Sequence, residues 1–177
     1  MEICSKCEGA YEYNPGRKGP HADLSKILMV LHRSDSRALI SALPMPDFDS
    51  YELTFSRTQT GQIIVRMLKM CGYTLDDVFI TNIFKCLLPN DRAPARQEYE
   101  NCLLLLREQI ADFSPRGILV FGEKPSELMF NGKKSQHENY EGIPAFVSVH
   151  PSVPWLRSDE LCNSYCQRIA DFVRSLR

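Results

Sequence analysis

The chain has 177 residues, 44% of them hydrophobic, and a formal net charge of −1 at pH 7. This length and composition predict one globular domain with a single sizeable core, and the near-neutral charge gives no support to general nucleic-acid affinity, which depends on Lys and Arg neutralising phosphates. The sequence contains no apolar run long enough to span a bilayer and begins without the layout of a secretory signal, which predicts a cytoplasmic protein with no membrane partner.

Predicted strands and helices alternate along the chain. Residues 1–22 are polar and rich in turn-forming residues, which predicts an irregular arm. Short apolar runs predict buried strands, and apolar residues at helical spacing predict helices between them. The strands are predicted at residues 27–31, 78–82, 117–122 and 145–149, and the helices at residues 59–71, 95–113, 124–130 and 159–176. Residues 33–54 are interpreted as a long loop with a short helix near residues 37–41.

This alternation predicts the fold class. It favours a three-layer α/β/α domain over residues 1–177, with a central, mainly parallel four-stranded sheet, because continuous apolar strands are typical of parallel sheets covered on both faces. Open sheets of this kind bind ligands at the carboxyl ends of their strands. The residues that follow each predicted strand are therefore the candidates for a site, at residues 32–36, 82–90, 122–124 and 150–157.

Seven cysteines are many for a small domain of this kind, and an odd number without a secretory signal argues against a disulfide framework. Cys4 and Cys7 form a C-x2-C pair in the arm, while Cys86 and Cys102 form a C-x15-C pair. Four cysteines can hold an iron–sulfur cluster or a structural zinc ion. The alternative is that Cys86 and Cys102 are ordinary buried thiols. Three further cysteines are predicted to be core residues, at positions 71, 162 and 166.

Several segments, in order along the chain, resemble one known family. The cysteine spacing is one of them, and residues 80–92 (ITNIFKCLLPNDR) are similar to a TN-x-x-K-C-x-P-P-x-N-R stretch. Residues 149–157 (VHPSVPWLR) are similar to an H-P-S-x-x-x-L-R motif, and the region that begins at Phe55 is similar to F-x-G-x-x-G-x-x-L. Together these segments resemble the iron–sulfur uracil-DNA glycosylases of thermophile type, and they favour cysteine ligands over buried thiols.

The resemblance implies a cofactor and an activity. It implies a structural [4Fe-4S] cluster on Cys4, Cys7, Cys86 and Cys102, with zinc as the alternative metal. It also implies hydrolysis of the bond between deoxyribose and uracil, or a related deaminated base, in DNA. Such an enzyme holds the flipped base in a fitted pocket. The implied roles are stacking for Phe55, reading of the base edge for Asn82, and donation to the uracil O2 for His150.

The segment after His150 is the predicted DNA contact. An apolar side chain pushed into the stack can stabilise the gap that a flipped nucleotide leaves. Trp155 or Leu156 is the candidate wedge, and Arg157 is the candidate for phosphate contact. The alternative for Trp155 is packing on the core at a helix entry. We expect a monomer that binds uracil-containing or single-stranded DNA through Ser152, Trp155, Leu156 and Arg157.

One motif departs from the family. The family has G-E-x-P-G directly after the first strand, where this chain has residues 32–36 (HRSDS), and Arg33 stands where the acid is expected. A fixed positive charge beside a developing sugar cation is unfavourable. Asp35 or an acid in residues 47–52 could replace the carboxylate, or His32 could act in its place. Two further hypotheses are a catalytically degenerate DNA- or nucleotide-binding homologue and a structural metal domain for protein contacts.

Overall fold

The computed structural model describes residues 2–7, 11–33, 57–86, 88–132 and 135–177. Predictions for Asp35, Phe55, the acids in residues 47–52 and the short helix near residues 37–41 lie outside these residues.

The described part of the chain forms an α/β domain around a six-stranded sheet. Two short strands of the arm, β1 (Glu2–Cys4) and β2 (Tyr11–Tyr13), pair separately with each other. The sheet contains β3 (Arg17–Lys18), β4 (Ile27–Arg33), β5 (Val78–Phe84), β6 (Gly117–Phe121), β7 (His137–Tyr140) and β8 (Ile143–Ser148). Its order is β3-β5-β4-β6-β8-β7, and the four central strands are parallel.

The predicted parallel sheet is thus confirmed, with four strands corrected to six. The two additional strands, β3 and β7, pair antiparallel at opposite edges. Neither carries an apolar run, because β3 has only two residues and β7 reads HENY with a mostly exposed pattern. Edge strands can be short and polar because their outer side faces water.

Helices cover both faces of the sheet. A short helix, α1 (Ala22–Ser25), precedes the four longer ones, which lie close to their predicted bounds: α2 (Gln59–Cys71), α3 (Arg96–Phe113), α4 (Glu123–Phe130) and α5 (Asp159–Ser175). Apolar residues of α2 and α5 pack in one core cluster, and those of α3 and α4 pack in another on the opposite face. No described helix has the length and apolar character needed to cross a membrane.

The arm is more regular than predicted, since it follows β5 through backbone hydrogen bonds. The Gly19 nitrogen donates to the Val78 oxygen at 3.0 Å, and the Asn14 nitrogen donates to the Lys85 oxygen at 2.8 Å. Gly16 has φ +88°, and a Cβ there would overlap the backbone of Ile80. Glycine at position 16 therefore lets the arm lie directly against the sheet.

Parallel register brings the predicted site residues to one edge. Leu31 pairs with Asn82 between β4 and β5, and Phe121 pairs with Ser148 between β6 and β8. The carboxyl ends of all four central strands therefore meet at the edge where such sheets bind ligands.

Candidate functional site

His150 lies just beyond β8 in a fixed orientation. Its Nδ1 accepts the Ser152 backbone N–H at 3.2 Å and lies 2.8 Å from the Ser152 hydroxyl. A ring nitrogen that accepts an N–H carries no proton, so the proton of the neutral ring is on Nε2. Burial, with a smaller contribution from the nearby His32, lowers the pKa of His150. The half-buried ring is therefore a neutral Nε2–H donor near pH 7.

Gly122, at the end of β6, lies against this histidine. A Cβ at Gly122 would be 3.5 Å from the His150 Cβ, and the glycine has φ +102°, where side chains are strained. The Gly122 nitrogen also donates to the Ser148 oxygen at 2.8 Å. The backbone at the start of α4 thus packs closely against the segment that carries His150.

Gln59, in the first turn of α2, forms hydrogen bonds to residues 151–157, the segment after His150. Its Nε2 donates to the Val153 oxygen at 3.0 Å and to the Pro151 oxygen at 3.4 Å, while its Oε1 accepts the Arg157 Nε–H at 3.1 Å. The sequence interpretation missed this residue. A glutamine at a helix start carries no signal for a partner more than ninety residues away.

Replacing Gln59 by Ala should loosen this segment. Three hydrogen bonds are lost, two of them to backbone carbonyls, and we expect a decrease of about 1–2 kcal/mol in the free energy of unfolding, measured by urea denaturation. Gln62→Ala is the matched control, because Gln62 is exposed on the same helix. Equal losses in both variants would contradict the role of Gln59.

The two predicted wedge residues, Trp155 and Leu156, differ in their exposure to solvent. Both lie in the short 3-10 turn Pro154–Arg157. Leu156 is 2% exposed and belongs to the core, whereas Trp155 is 42% exposed and meets Tyr165 edge-on, with ring centroids 6.4 Å apart. The prediction of Leu156 as a DNA contact is therefore corrected, because its side chain already packs inside the domain. Trp155, Ser152 and Arg157 remain accessible to a ligand.

Asn82 is half-buried near the carboxyl end of β5, where buried Lys85 holds the strand. The Lys85 Nζ donates to the Asn82 carbonyl at 2.8 Å, to the Thr81 hydroxyl at 2.8 Å and to the Gln109 Oε1 at 2.6 Å. Burial lowers the pKa of Lys85 to about 7. These bonds hold the end of β5, which carries Asn82, in a fixed position relative to Lys85 and the next residue, Cys86.

Arg33 ends β4, which runs two residues beyond the predicted strand end at Leu31, so Arg33 belongs to the sheet and not to the predicted loop. Its Nη1 donates to the Arg92 carbonyl at 3.0 Å, so this nitrogen is bound to the loop before α3. Arg92 in turn forms two hydrogen bonds to the Glu98 carboxylate, at 2.7 and 2.8 Å, which hold the pKa of Glu98 below its usual value. The guanidinium of Arg33 is thus directed to a fixed acceptor outside the sheet.

His32 contacts α3. Its Nε2 lies 2.8 Å from the Tyr99 hydroxyl, and the two rings are nearly parallel, with centroids 6.1 Å apart and an interplanar angle of 12°. Lys124 Nζ lies 5.5 Å from the centre of the Tyr99 ring. Burial lowers the pKa of His32, and the positive charges of Arg33 and Lys124 lower it further. The ring is therefore neutral at pH 7.

The four candidate ligand cysteines gather at the start of α3. Cys86 and Cys102 are 6% and 2% exposed within a small cluster that also contains Tyr99, and Cys4 packs against it. Asn101 donates to the Cys7 sulfur at 3.4 Å and to the Lys6 carbonyl at 2.7 Å. Two cysteines from the arm therefore meet two from the domain.

These thiols interact with one another. The hydrogen bond with Cys102, then burial, then the nearby Cys4 raise the pKa of Cys86. The same hydrogen bond lowers the pKa of Cys102 to about 7. An all-thiol donor set suits an iron–sulfur cluster or zinc. Within the described ranges, no three His, Cys, Asp or Glu side chains have the geometry to hold a single metal ion.

The remaining cysteines lie in the core cluster on the other face of the sheet, as predicted. Cys71, Cys162 and Cys166 are all at most 3% exposed, and the sulfurs of the last two are 4.0 Å apart. Burial raises the pKa of Cys71 to about 11. Such buried thiols are structural core residues.

Comparison with known proteins agrees with this architecture. Residues 37–172 match the family model described as the Uracil DNA glycosylase superfamily. The chain belongs to this superfamily. Among curated relatives, type-4 uracil-DNA glycosylases of Pyrobaculum aerophilum, Archaeoglobus fulgidus and Thermotoga maritima are 45%, 35% and 30% identical over 62, 71 and 86 residues.

These alignments cover only parts of the proteins. They include 35%, 40% and 49% of this chain and 32%, 36% and 45% of the relatives, so the chain spans less than half the length of the relatives it matches. The superfamily match includes Asn82, Cys86, Cys102 and His150, whereas the arm cysteines and His32 precede it. The association of the arm cysteines with Cys86 and Cys102 is therefore a separate observation from the structure.

Proposed function

We propose that this member of the superfamily is a DNA base-excision repair glycosylase that hydrolyses the N-glycosidic bond of uracil, or of a related deaminated base. The observation that carries the proposal is His150, whose Nδ1 accepts the Ser152 N–H, so that Nε2–H is the donor. Its neutrality and its place at the carboxyl edge of the sheet suit a group that stabilises charge on a departing base. Relatives named as uracil-DNA glycosylases support the substrate class.

Each part of the reaction has a candidate group. Cleavage of the C1′–N1 bond leaves negative charge on uracil. A preorganised hydrogen-bond donor at O2 stabilises this developing charge more strongly than it stabilises the neutral bound substrate. His150 supplies this donor. Asn82 can read the base edge, because a side-chain amide offers both a donor and an acceptor. Phe55 is the proposed stacking partner, and Asp35 is the proposed carboxylate near the sugar.

We propose a [4Fe-4S] cluster on Cys4, Cys7, Cys86 and Cys102, with zinc as the alternative. When bound, the cluster supplies structural cross-linking between the arm and α3. The chemistry of the donors suits this role, because all four side chains are thiols, and the arm already contacts α3 through the hydrogen bond from Asn101 to the Cys7 sulfur. The arm is polar, so it buries little apolar surface and would benefit from such a cross-link.

We propose that the protein binds DNA as a monomer through Ser152, Trp155 and Arg157. Trp155 is the candidate wedge because it is the exposed aromatic side chain in residues 151–157, the segment that Gln59 binds. Arg157 is exposed beside it and suits phosphate contact. A local surface of this kind is compatible with the net charge of −1.

Replacing Trp155 by Ala should weaken DNA binding about tenfold, because stacking of one base on an aromatic ring contributes ~1–3 kcal/mol. The chain has one tryptophan, so quenching of its fluorescence reports the wild-type interaction directly. Anisotropy of labelled single-stranded DNA gives the dissociation constants. Leu161→Ala is the matched control, since Leu161 is 47% exposed on α5. A Trp155→Ala variant that binds like the wild type would contradict the wedge.

Uracil release from single-stranded and mismatched DNA tests the proposed function directly. We expect free uracil and an alkali-labile site in a single turnover at high enzyme concentration. Arg33, where the family carries an acid, favours a second candidate, which is a DNA-binding homologue without activity. That candidate predicts salt-sensitive binding to uracil-containing DNA with no base release.

A further inference from the structure

A second histidine lies at the same edge of the sheet as His150. His32 is in β4, a central strand, and a positive charge on His32 would lower the pKa of His150. Four titratable or charged residues surround His32. They are Arg33 beside it in β4, Tyr99 in α3, Lys124 in α4 and His150 after β8.

Tyr99 fixes the orientation of this ring. The contact is the 2.8 Å hydrogen bond at Nε2, and the planes of the two rings are 12° from parallel. Tyr99 itself is 8% exposed and packs edge-on against Phe84, with centroids 5.5 Å apart. This contact uses Nε2, so Nδ1 is the ring nitrogen that remains for a catalytic role.

This arrangement has the form of a general base with an orienting group. A general base needs a third group that fixes its tautomer, as a hydrogen-bond acceptor does when it takes the N–H of the opposite ring nitrogen. The Tyr99 hydroxyl can accept from Nε2–H, which leaves the Nδ1 lone pair available. The positive charges of Arg33 and Lys124 favour the neutral ring that this role requires.

We propose that His32, positioned by Tyr99, is the general base that activates the attacking water through its Nδ1. This inference rests on the proposed function. As water adds to C1′, its proton passes to Nδ1, and the electron pair of the C1′–N1 bond leaves with uracil, whose O2 receives the hydrogen bond from His150. The proton on His32 then returns to the uracil anion or to solvent, so atoms and charge balance.

Kinetics of variants test the catalytic role. We expect His32→Gln to lower the single-turnover rate about 100-fold at an unchanged DNA dissociation constant, as general bases commonly contribute. Tyr99→Phe keeps the ring and loses only the hydroxyl, so a decrease of about fivefold is expected, the factor that one neutral hydrogen bond provides. The double variant should match His32→Gln alone, because Tyr99 acts through His32. His21→Gln is the control, since His21 is exposed at the start of α1.

Nitrogen-15 NMR of histidine-labelled protein tests the geometry independently of activity. The chain has four histidines, so the His32 signals are assigned from the His32→Gln variant. We expect the neutral Nε2–H tautomer in the wild type and a mixture of tautomers in Tyr99→Phe. An Nδ1–H tautomer would overturn the base role. An active wild type with an equally active His32→Gln variant would overturn it too, whereas a wild type that releases no uracil would overturn the proposed function and the base role together.

Discussion

A His150→Ala variant should lose uracil-release activity by about 100- to 1000-fold, which is the cost of removing one preorganised donor from developing charge. The loss should fall on the single-turnover rate rather than on DNA affinity, because the donor acts mainly when the base carries negative charge. Rapid-quench measurement of uracil release at saturating enzyme gives this rate, and anisotropy gives the affinity.

The pH dependence provides a second test of His150. Protonation would place a proton on Nδ1, which now accepts the Ser152 N–H, and would break the arrangement that orients the ring. The pKa of His150 is lowered, mainly by burial, so the neutral ring persists below pH 6.5. We expect activity to hold as the pH falls to 6.5 and to decrease only below it. Full activity in His150→Ala at any pH would exclude His150 as the donor.

Replacing Cys102 by Ala should prevent binding of the proposed cluster and strongly destabilise the protein. Wild-type protein purified without oxygen is expected to be brown and to contain about four irons per chain, with both features lost in the variant. The free energy of unfolding should fall by several kcal/mol, because the free energy of metal binding contributes directly to folding. Iron and sulfide analysis, visible absorption and urea denaturation provide the measurements.

Cys162 offers a matched control for this experiment. Cys102 and Cys162 are both helical and both 2% exposed, but Cys162 lies in the core cluster on the other face of the sheet. Cys162→Ala should therefore keep its iron and lose only ~1 kcal/mol, the cost of a small buried truncation. A colourless wild type with one zinc ion would favour the alternative metal, and a wild type without metal would refute the cysteine site.

Local pattern in the sequence was enough to predict the framework. The four parallel strands and the four longer helices follow from apolar periodicity, which each segment carries in its own residues. The meeting of Asn82 and His150 at one edge follows from the rule that parallel strands end on the same side. The predicted grouping of Cys4 and Cys7 with Cys86 and Cys102 depended on spacing and on the resemblance to a family.

Only the tertiary structure decided which side chains those patterns leave exposed or bring together. Leu156 and Trp155 are neighbours in one turn, yet Leu156 faces the core and Trp155 faces solvent. His32 meets Tyr99, 67 residues away in sequence, and Gln59 meets Val153, 94 residues away. A hydrogen bond between distant residues leaves no periodic trace in either segment, because its partners become neighbours only when the sheet and helices have packed.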